Sequence, residues 1–346
     1  MKNKVGVVLT GIIGLLCGGN ALAGAVTFTP FVSSTGGSPI GFSYAGNKFV
    51  GSNYFNNQLY QTDLTGTIIT TFGAPIPIAS GSIGEIYVSS SLGLGGFGSS
   101  VSRDIFAGSQ SAGDIYRFSN DGSTQTLFAS GLSGGVRGIG FDPYGSYGND
   151  MLVTTSTGNV YEINSAGTVT LLANVGGDAE GLDFTPQPFG PISTHTLVVV
   201  SEGTGRLTAI ASDGGKTDLG LSFGTPEMLS FIPLNLGASG NPLEGFYAAN
   251  YTVNVIKADA SEFSSYLGDA VITDESNHNL YHIFWDSSAG AFSTSIIGTF
   301  PNQPEDGIFL TTAILTPVPE PETYALFMAG LGLMGFIARR RKNGQA

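Results

Sequence analysis

Four glutamates begin similar short blocks along the chain, and carboxylates in equivalent places are candidates for binding a cation. The blocks are Glu85-Ile86-Tyr87-Val88, Glu180-Gly181-Leu182-Asp183-Phe184, Glu227-Met228-Leu229-Ser230-Phe231 and Glu305-Asp306-Gly307-Ile308-Phe309. A related block, Arg137-Gly138-Ile139-Gly140-Phe141, has arginine in the glutamate position. If the fold brings these block starts to one end of an axis, converging carboxylates suit a hard cation such as Ca²⁺. The alternative is that they are solvated rim residues that pair with Arg137 or cap turns, because carboxylates are mostly exposed.

No sequence pattern for another catalytic chemistry is present. The only cysteine is Cys17, there are three histidines, and no HExxH zinc motif occurs. The sequence also lacks the GxSxG nucleophile elbow and a phosphate loop ending in Gly-Lys-Ser/Thr. Aromatic side chains in or near predicted loops could stack on sugar rings or simply fill the packing; these are Tyr54, Tyr144, Tyr147, Tyr251 and Trp285.

A second repeated motif, a short strand followed by a turn rich in Asp, Asn, Ser and Gly, alternates with the acidic blocks. Its anchor residues are Leu59, Ile115, Val160, Leu207, Val255 and Leu280, with gaps of 56, 45, 47, 48 and 25 residues. Periods of about 40–50 residues are typical of four-stranded β-propeller blades. We therefore predict an all-β propeller of about six blades (five to seven), with a single β-sandwich or a right-handed β-helix as alternatives. The last gap is too short for a whole blade.

The acidic blocks are predicted to form the innermost strand of each blade. The Glu305 block follows the last hairpin, so we expect it to supply the inner strand of the first blade, whose other strands begin near Phe49. This arrangement would join the two chain ends in one sheet, with residues 25–46 left to add one further strand. The glycine-rich residues 92–98 are predicted to form a long, mobile loop.

The N-terminus has the pattern of a secretory signal peptide. Lys2 and Lys4 precede an uncharged, mostly apolar run over residues 5–17, and small residues stand at Ala21 and Ala23. We predict that residues 1–23 are removed by cleavage after Ala23. The mature chain would then contain no cysteine.

The C-terminus has the pattern of a membrane segment behind a stiff linker. Residues 316–322 are proline-rich, residues 323–338 carry no charge, and four basic residues follow at 339–342. We predict a β-propeller domain over 24–315, a linker over 316–322, and a single transmembrane helix with a basic cytoplasmic tail over 323–346.

This tail resembles the PEP-CTERM sorting domain. The matching residues are Val318, Pro319, Glu320 and Pro321, then the glycine-rich run 330–333, and finally Arg339, Arg340 and Arg341. The resemblance implies processing by exosortase, a transient stay in the inner membrane, and delivery to the cell surface or outside a Gram-negative, exopolysaccharide-producing bacterium. Blocks such as Glu180–Phe184 also resemble NHL and gluconolactonase-like propellers, and gluconolactonase-like propellers hold a divalent ion with Glu, Asn and Asp ligands.

Charge excludes one class of partner. The whole chain has a net charge of −13, and residues 24–318 carry seven Lys and Arg against 24 Asp and Glu, which is −17. Nucleic acid is therefore not an expected partner, because phosphate binding needs clustered cations. We expect a non-catalytic binding or scaffold protein linked to extracellular polysaccharide or biofilm. We predict no cofactor, with Ca²⁺ as the one alternative. The alternative is a Ca²⁺-dependent lactonase-like or esterase-like propeller enzyme.

Overall fold

Twenty-four β-strands form six four-stranded antiparallel sheets in the computed structural model, which describes residues 25–78 and 83–311. The innermost strands pack side by side in a closed ring. The predicted six-blade propeller is therefore confirmed. One short 3-10 helix, Ala260–Phe263, is the only helix in the described residues. The predicted signal peptide and the tail, whose boundaries remain predictions, lie outside them.

Blades I to IV are each built from four consecutive strands. Listed from the axis outward, they are β2 (Pro39–Tyr44), β3 (Phe49–Asn53), β4 (Asn56–Thr62) and β5 (Ile69–Phe72) in blade I; β6 (Ile86–Ser90), β7 (Ile105–Ser109), β8 (Ile115–Phe118) and β9 (Gln125–Ala129) in blade II; β10 (Val136–Phe141), β11 (Met151–Thr155), β12 (Asn159–Ile163) and β13 (Val169–Asn174) in blade III; and β14 (Ala179–Phe184), β15 (Leu197–Ser201), β16 (Arg206–Ile210) and β17 (Lys216–Ser222) in blade IV.

Blades V and VI are interleaved in the chain. From the axis outward, blade V contains β18 (Pro226–Phe231), β21 (Ala270–Asp274), β22 (Asn279–Asp286) and β23 (Ala291–Thr299), and blade VI contains β24 (Pro304–Leu310), β19 (Gly245–Asn250), β20 (Asn254–Asp259) and β1 (Thr29–Val32). The chain leaves blade V after β18, forms the β19–β20 hairpin in blade VI, and returns to blade V at β21. This explains the short gap between Val255 and Leu280, because these residues lie in different blades.

Both ends of the described chain lie in blade VI, where they close the ring. Strand β24 is its inner strand and pairs with β19, while β1 is its outer strand and pairs with β20. The prediction that the Glu305 block completes the first blade is therefore wrong. Blade I has its own inner strand, β2, paired with β3. That strand begins Pro39-Ile40, so it lacks the charged residue that identifies the other inner strands.

The repeated turn motif closes the outer hairpins, as blade III shows. The Asn164 side chain accepts the amides of Ala166 and Thr168 at 3.1 and 3.0 Å. Gly167 follows with φ of 79°, and a Cβ there would lie 2.3 Å from the Phe128 carbonyl oxygen of blade II. Glycine is therefore required both by the backbone conformation and by the neighbouring blade.

The core consists of apolar layers between adjacent blades. Strands β11 and β15 are buried along their whole length, and their Leu152 and Val199 share one layer. Phe97 is 1% exposed and packs in the layer between blades II and III against Phe106 and Phe141. Residues 92–98 lie in a loop between β6 and β7, as predicted, but the predicted mobility is wrong because the buried Phe97 side chain anchors the segment. No helix among residues 25–78 and 83–311 is long and apolar enough to cross a membrane.

Closure of the ring by β1 can be tested with an engineered disulfide. Thr29 and Lys257 are directly opposed between β1 and β20. Opposed residues of antiparallel strands have Cα atoms about 4.5–5.5 Å apart, which suits a disulfide. The Thr29→Cys/Lys257→Cys variant should gain about 2–4 kcal/mol in free energy of unfolding on oxidation, because the bond constrains a very long loop.

The measurement is urea unfolding of the same variant, oxidised and reduced. The reduced form is the matched control, since it carries both substitutions without the bond. Equal unfolding midpoints in the two forms, with the bond verified by mass spectrometry, would contradict the pairing of β1 with blade VI.

Candidate functional site

The acidic blocks converge at one end of the propeller axis. Glu85 directly precedes β6, whereas Glu180, Glu227 and Glu305 are each the second residue of an inner strand. The Tyr87 hydroxyl lies 3.0 Å from Glu85, 3.1 Å from Glu180 and 3.4 Å from Glu227. A phenol has one proton to donate, so Tyr87 satisfies only one of these carboxylates at a time.

A second ring of side chains comes from the turns after the second strand of each blade. The first residue of these turns is, in chain order, Tyr54, Gln110, Ser156, Glu202, Tyr251 and Glu275. Gln110 donates to Glu85 at 2.7 Å, and Glu202 and Glu275 join the carboxylates. Sequence analysis missed Glu202 and Glu275, although their constant place after a strand was a usable signal. We call Glu85, Asp178, Glu180, Glu202, Glu227, Glu275 and Glu305 the acid mouth.

Arg137 neutralises one half of the acid mouth. Its Nη1 lies 2.6 Å from Glu85, its Nε lies 3.0 Å from Glu180, and both Nε and Nη2 bond Asp178. Glu202 is farther away, at 3.9 Å. The arginine side chain is 10% exposed. The alternative sequence interpretation, pairing with Arg137, is therefore correct for Glu85 and Glu180, but Glu180 is buried rather than solvated.

The other half contains Glu227, Glu275 and Glu305. Each offers a carboxylate oxygen, and these oxygens lie within 4.8 Å of one another. Within the described residues none of the three forms an ion pair with Lys, Arg or His. Their strongest donor is the Gln303 amide, which bonds Glu275 at 3.0 Å and Glu305 at 2.9 Å.

Burial makes this concentration of carboxylates electrostatically costly. The pKa values of Glu180, Glu227 and Glu305 are held well above their usual range, first by burial. Neighbouring carboxylates raise the pKa of Glu227 and Glu305 further, whereas Arg137 opposes the rise at Glu180. Burial and Glu202 raise the pKa of Glu275 to about 7. These groups must therefore hold protons or have a cation beside them at neutral pH.

A cavity of about 430 Å³ extends from the acid mouth along the axis. Apolar side chains of the inner strands line it, including Val88, Ile139, Leu182 and Ile308. Asp183 also lines this cavity, and its carboxylate accepts a hydrogen bond from the backbone amide of Phe231 in the next blade at 2.6 Å. Burial raises its pKa to about 6. The arrangement combines a largely apolar cavity with acids at one end.

The aromatic side chains considered as sugar platforms lie in different places. Tyr54 and Tyr251 contact each other at the acid mouth, with ring centroids 5.8 Å apart. Tyr144 stacks on His195 beyond the opposite end of the inner strands. Tyr147 is 3% exposed and bonds backbone atoms of blade IV, so its role is structural. Trp285 packs on Phe292 in blade V.

Comparison with known families identifies the C-terminal segment. Residues 317–342 match the PEP-CTERM protein-sorting motif. This chain carries a PEP-CTERM motif. The motif marks an exported protein that exosortase processes, and the matched range contains the residues of the predicted sorting signal. No curated protein sequence matches the chain.

The PEP-CTERM chain is similar in fold to solved propellers of low sequence identity. A streptogramin B lyase shares 13% identity with a TM-score of 0.51, over 80% of this chain and 74% of the lyase. A protein from Thermus thermophilus, provisionally named an oxidoreductase (glucose dehydrogenase), shares 11% identity with a TM-score of 0.53, over 80% of this chain and 89% of its own. At these identities the likeness establishes the fold alone.

Removing Arg137 should strongly destabilise the propeller. The Arg137→Gln variant should lose about 3–5 kcal/mol in free energy of unfolding at neutral pH, because it leaves buried carboxylates without their cation. The measurement is urea unfolding in chelator-treated buffer.

The matched control is Arg117→Gln. Arg117 pairs with Asp104 at 2.5 Å, but its side chain is 32% exposed, so this loss should be about 1 kcal/mol. Equal losses in the two variants would show that Arg137 does not balance the acid mouth.

Proposed function

We propose that this exported protein is delivered to the cell surface or the extracellular matrix, where it binds saccharide units of a polysaccharide at the acid mouth without catalysing a reaction. Export and exosortase processing follow from the PEP-CTERM motif. The binding role rests on the acid mouth and on the aromatic side chains beside it. These two features together offer the contacts that a sugar needs, a face for stacking and acceptors for hydroxyl groups.

The single observation that carries the proposal is the aromatic rim next to the carboxylates. Phe55 is 60% exposed, contacts Tyr54 with ring centroids 4.2 Å apart, and has a positive φ of 53°. Tyr251 joins this rim, and its backbone amide donates to the Gln303 carbonyl at 2.8 Å. Gln303 in turn contacts Glu275 and Glu305. An exposed aromatic residue in an unusual backbone conformation supports a binding role better than a packing role.

Saccharide binding should depend on this rim. Phe55→Ala and Tyr251→Ala should each weaken binding to oligosaccharides from the producing organism's own exopolysaccharide by about fivefold, since loss of an aromatic stacking partner typically costs about 1 kcal/mol. Isothermal titration calorimetry on the full chain in detergent measures the affinity.

Tyr144→Ala is the matched control, because this tyrosine lines the opposite end of the cavity, away from the acid mouth. It should leave the affinity unchanged. Binding that is absent from the native protein, or that falls only in the Tyr144 variant, would contradict a saccharide site at the acid mouth.

A second candidate function is that of a Ca²⁺-dependent lactonase-like or esterase-like enzyme. The observation in its favour is the contact between the cavity and the carboxyl groups of Glu180 and Glu227, whose pKa values burial raises well above their usual range. Perturbed carboxyl groups in a cavity are candidates for general acid or base catalysis. Hydrolysis of a panel of lactones and esters, abolished by chelation and by Glu180→Gln, would favour this candidate over the binding role.

Sorting is proposed to depend on the predicted signal itself. Replacing Pro319, Glu320 and Pro321 together by alanine should leave the protein uncleaved in the inner membrane, because these three residues form the Pro-Glu-Pro element of the matched sorting motif. Membrane fractionation and the mass of the surface-exposed chain measure this outcome.

The control is Glu322→Ala, which changes an acid of the same linker outside the three residues. It should be processed normally. Normal surface delivery of the triple variant would overturn the assignment of these residues.

A further inference from the structure

The two halves of the acid mouth differ in how their charge is compensated. The Arg137 guanidinium forms ion pairs with Glu85, Asp178 and Glu180 in the first half. Glu227, Glu275 and Glu305 have between them one glutamine amide and a distant phenol. At neutral pH this second half must therefore hold protons or receive a cation of its own.

An orphaned oxygen atom points to the same place. Glu305 is 1% exposed, and its Oε2 is buried without a hydrogen-bond partner. Its other oxygen, Oε1, is held by the Gln303 amide, which also holds Oε1 of Glu275. Gln303 thus holds two carboxylates side by side while one buried oxygen stays free for a ligand, and a buried polar atom without a partner requires an explanation.

We propose that Glu227, Glu275 and Glu305 bind one divalent cation of the calcium type. Two oxygens on one Ca²⁺ can be separated by up to about 4.6–5.2 Å, twice the usual metal–oxygen distance. The separation found here, within 4.8 Å, fits this limit. Mg²⁺ usually binds through only one or two protein carboxylates, so a set of three carboxylates favours Ca²⁺. All-oxygen ligands also favour a hard cation over zinc or copper.

The site differs from the four-glutamate ring expected from the sequence. Glu85 and Glu180 are committed to Arg137, and Glu275 from a turn completes the ligand set instead. Glu227 and Glu275 belong to blade V, whereas Glu305 belongs to blade VI. The cation therefore joins the two interleaved blades at the point where the chain closes its ring. This inference goes beyond saccharide binding and does not depend on it.

Calcium binding to the full chain in detergent tests the inference. Isothermal titration of the chelator-treated protein should give one saturable site. Glu305→Gln and Glu227→Gln should each weaken it by ~100-fold or more, because even outer partners of metal ligands are typically worth about 10–100-fold. Glu262→Gln, in the 3-10 helix away from the mouth, is the matched control and should keep the native affinity.

Terbium emission provides a second readout that needs no change in the ligands. Because the Tyr87 hydroxyl lies 3.4 Å from Glu227, excitation of tyrosine should sensitise bound Tb³⁺. Tyr87→Phe should lower the emission while keeping Ca²⁺ competition. Thermal melts establish that each variant is folded.

The contrary outcomes are distinct. Absence of Ca²⁺ binding in the native chain overturns the proposal, and so does equal binding in Glu305→Gln. If a polyamine but not Ca²⁺ raised the thermal unfolding temperature of the native chain, the site would belong to an organic cation, and the proposal would again be overturned. If the native chain bound Ca²⁺ but no oligosaccharide, the proposed saccharide function would be rejected while the calcium inference would stand.

Discussion

Seven carboxyl groups converge at one end of the propeller axis, where a single guanidinium, that of Arg137, pairs with only part of them, and the functional end of the molecule depends on this constraint. The closed ring of six blades brings the starts of the inner strands together, so side chains far apart in sequence lie within a few ångströms of one another in a largely buried space. Arg137 compensates the half that includes Glu85 and Glu180. The remaining carboxylates raise one another's pKa values, so the acid mouth is suited to receive positive charge or hydroxyl donors. The calcium proposal follows from this imbalance, whereas the saccharide proposal rests on the aromatic rim beside the carboxylates.

The ring closes by an unusual path, which brings the second half of the mouth together. Because β19 and β20 are inserted between β18 and β21, blades V and VI cannot form independently of each other. Glu227, Glu275 and Glu305 lie where these interleaved blades meet at the axis. A cation at this point would stabilise the closed ring as well as the site. Its effect would be greatest on opening of blade VI, whose inner and outer strands come from opposite ends of the described chain.

The sequence was sufficient to predict the blade number and the convergence of the glutamates, because the repeat period and the block starts are local features. It was not sufficient for the closure, since Pro39–Tyr44 lacks the charged residue found at the start of the other inner strands, and β19–β20 resembles a weak copy of the repeat. Glu202 and Glu275 were missed because an acid in a turn is ordinarily solvated, and only the ring geometry directs these turns inward. Phe97 shows the same limit, because a glycine-rich segment predicted to be mobile is fixed by one aromatic side chain buried between blades.

The most direct test is a crystal structure of the protein soaked in a lanthanide, with data collected at the metal's absorption edge. The division of the acid mouth predicts one anomalous peak bounded by Glu227, Glu275 and Glu305, and none in the half held by Arg137. A peak on the axis between Glu85 and Glu180, or no peak at the mouth in fully soaked crystals, would contradict the account.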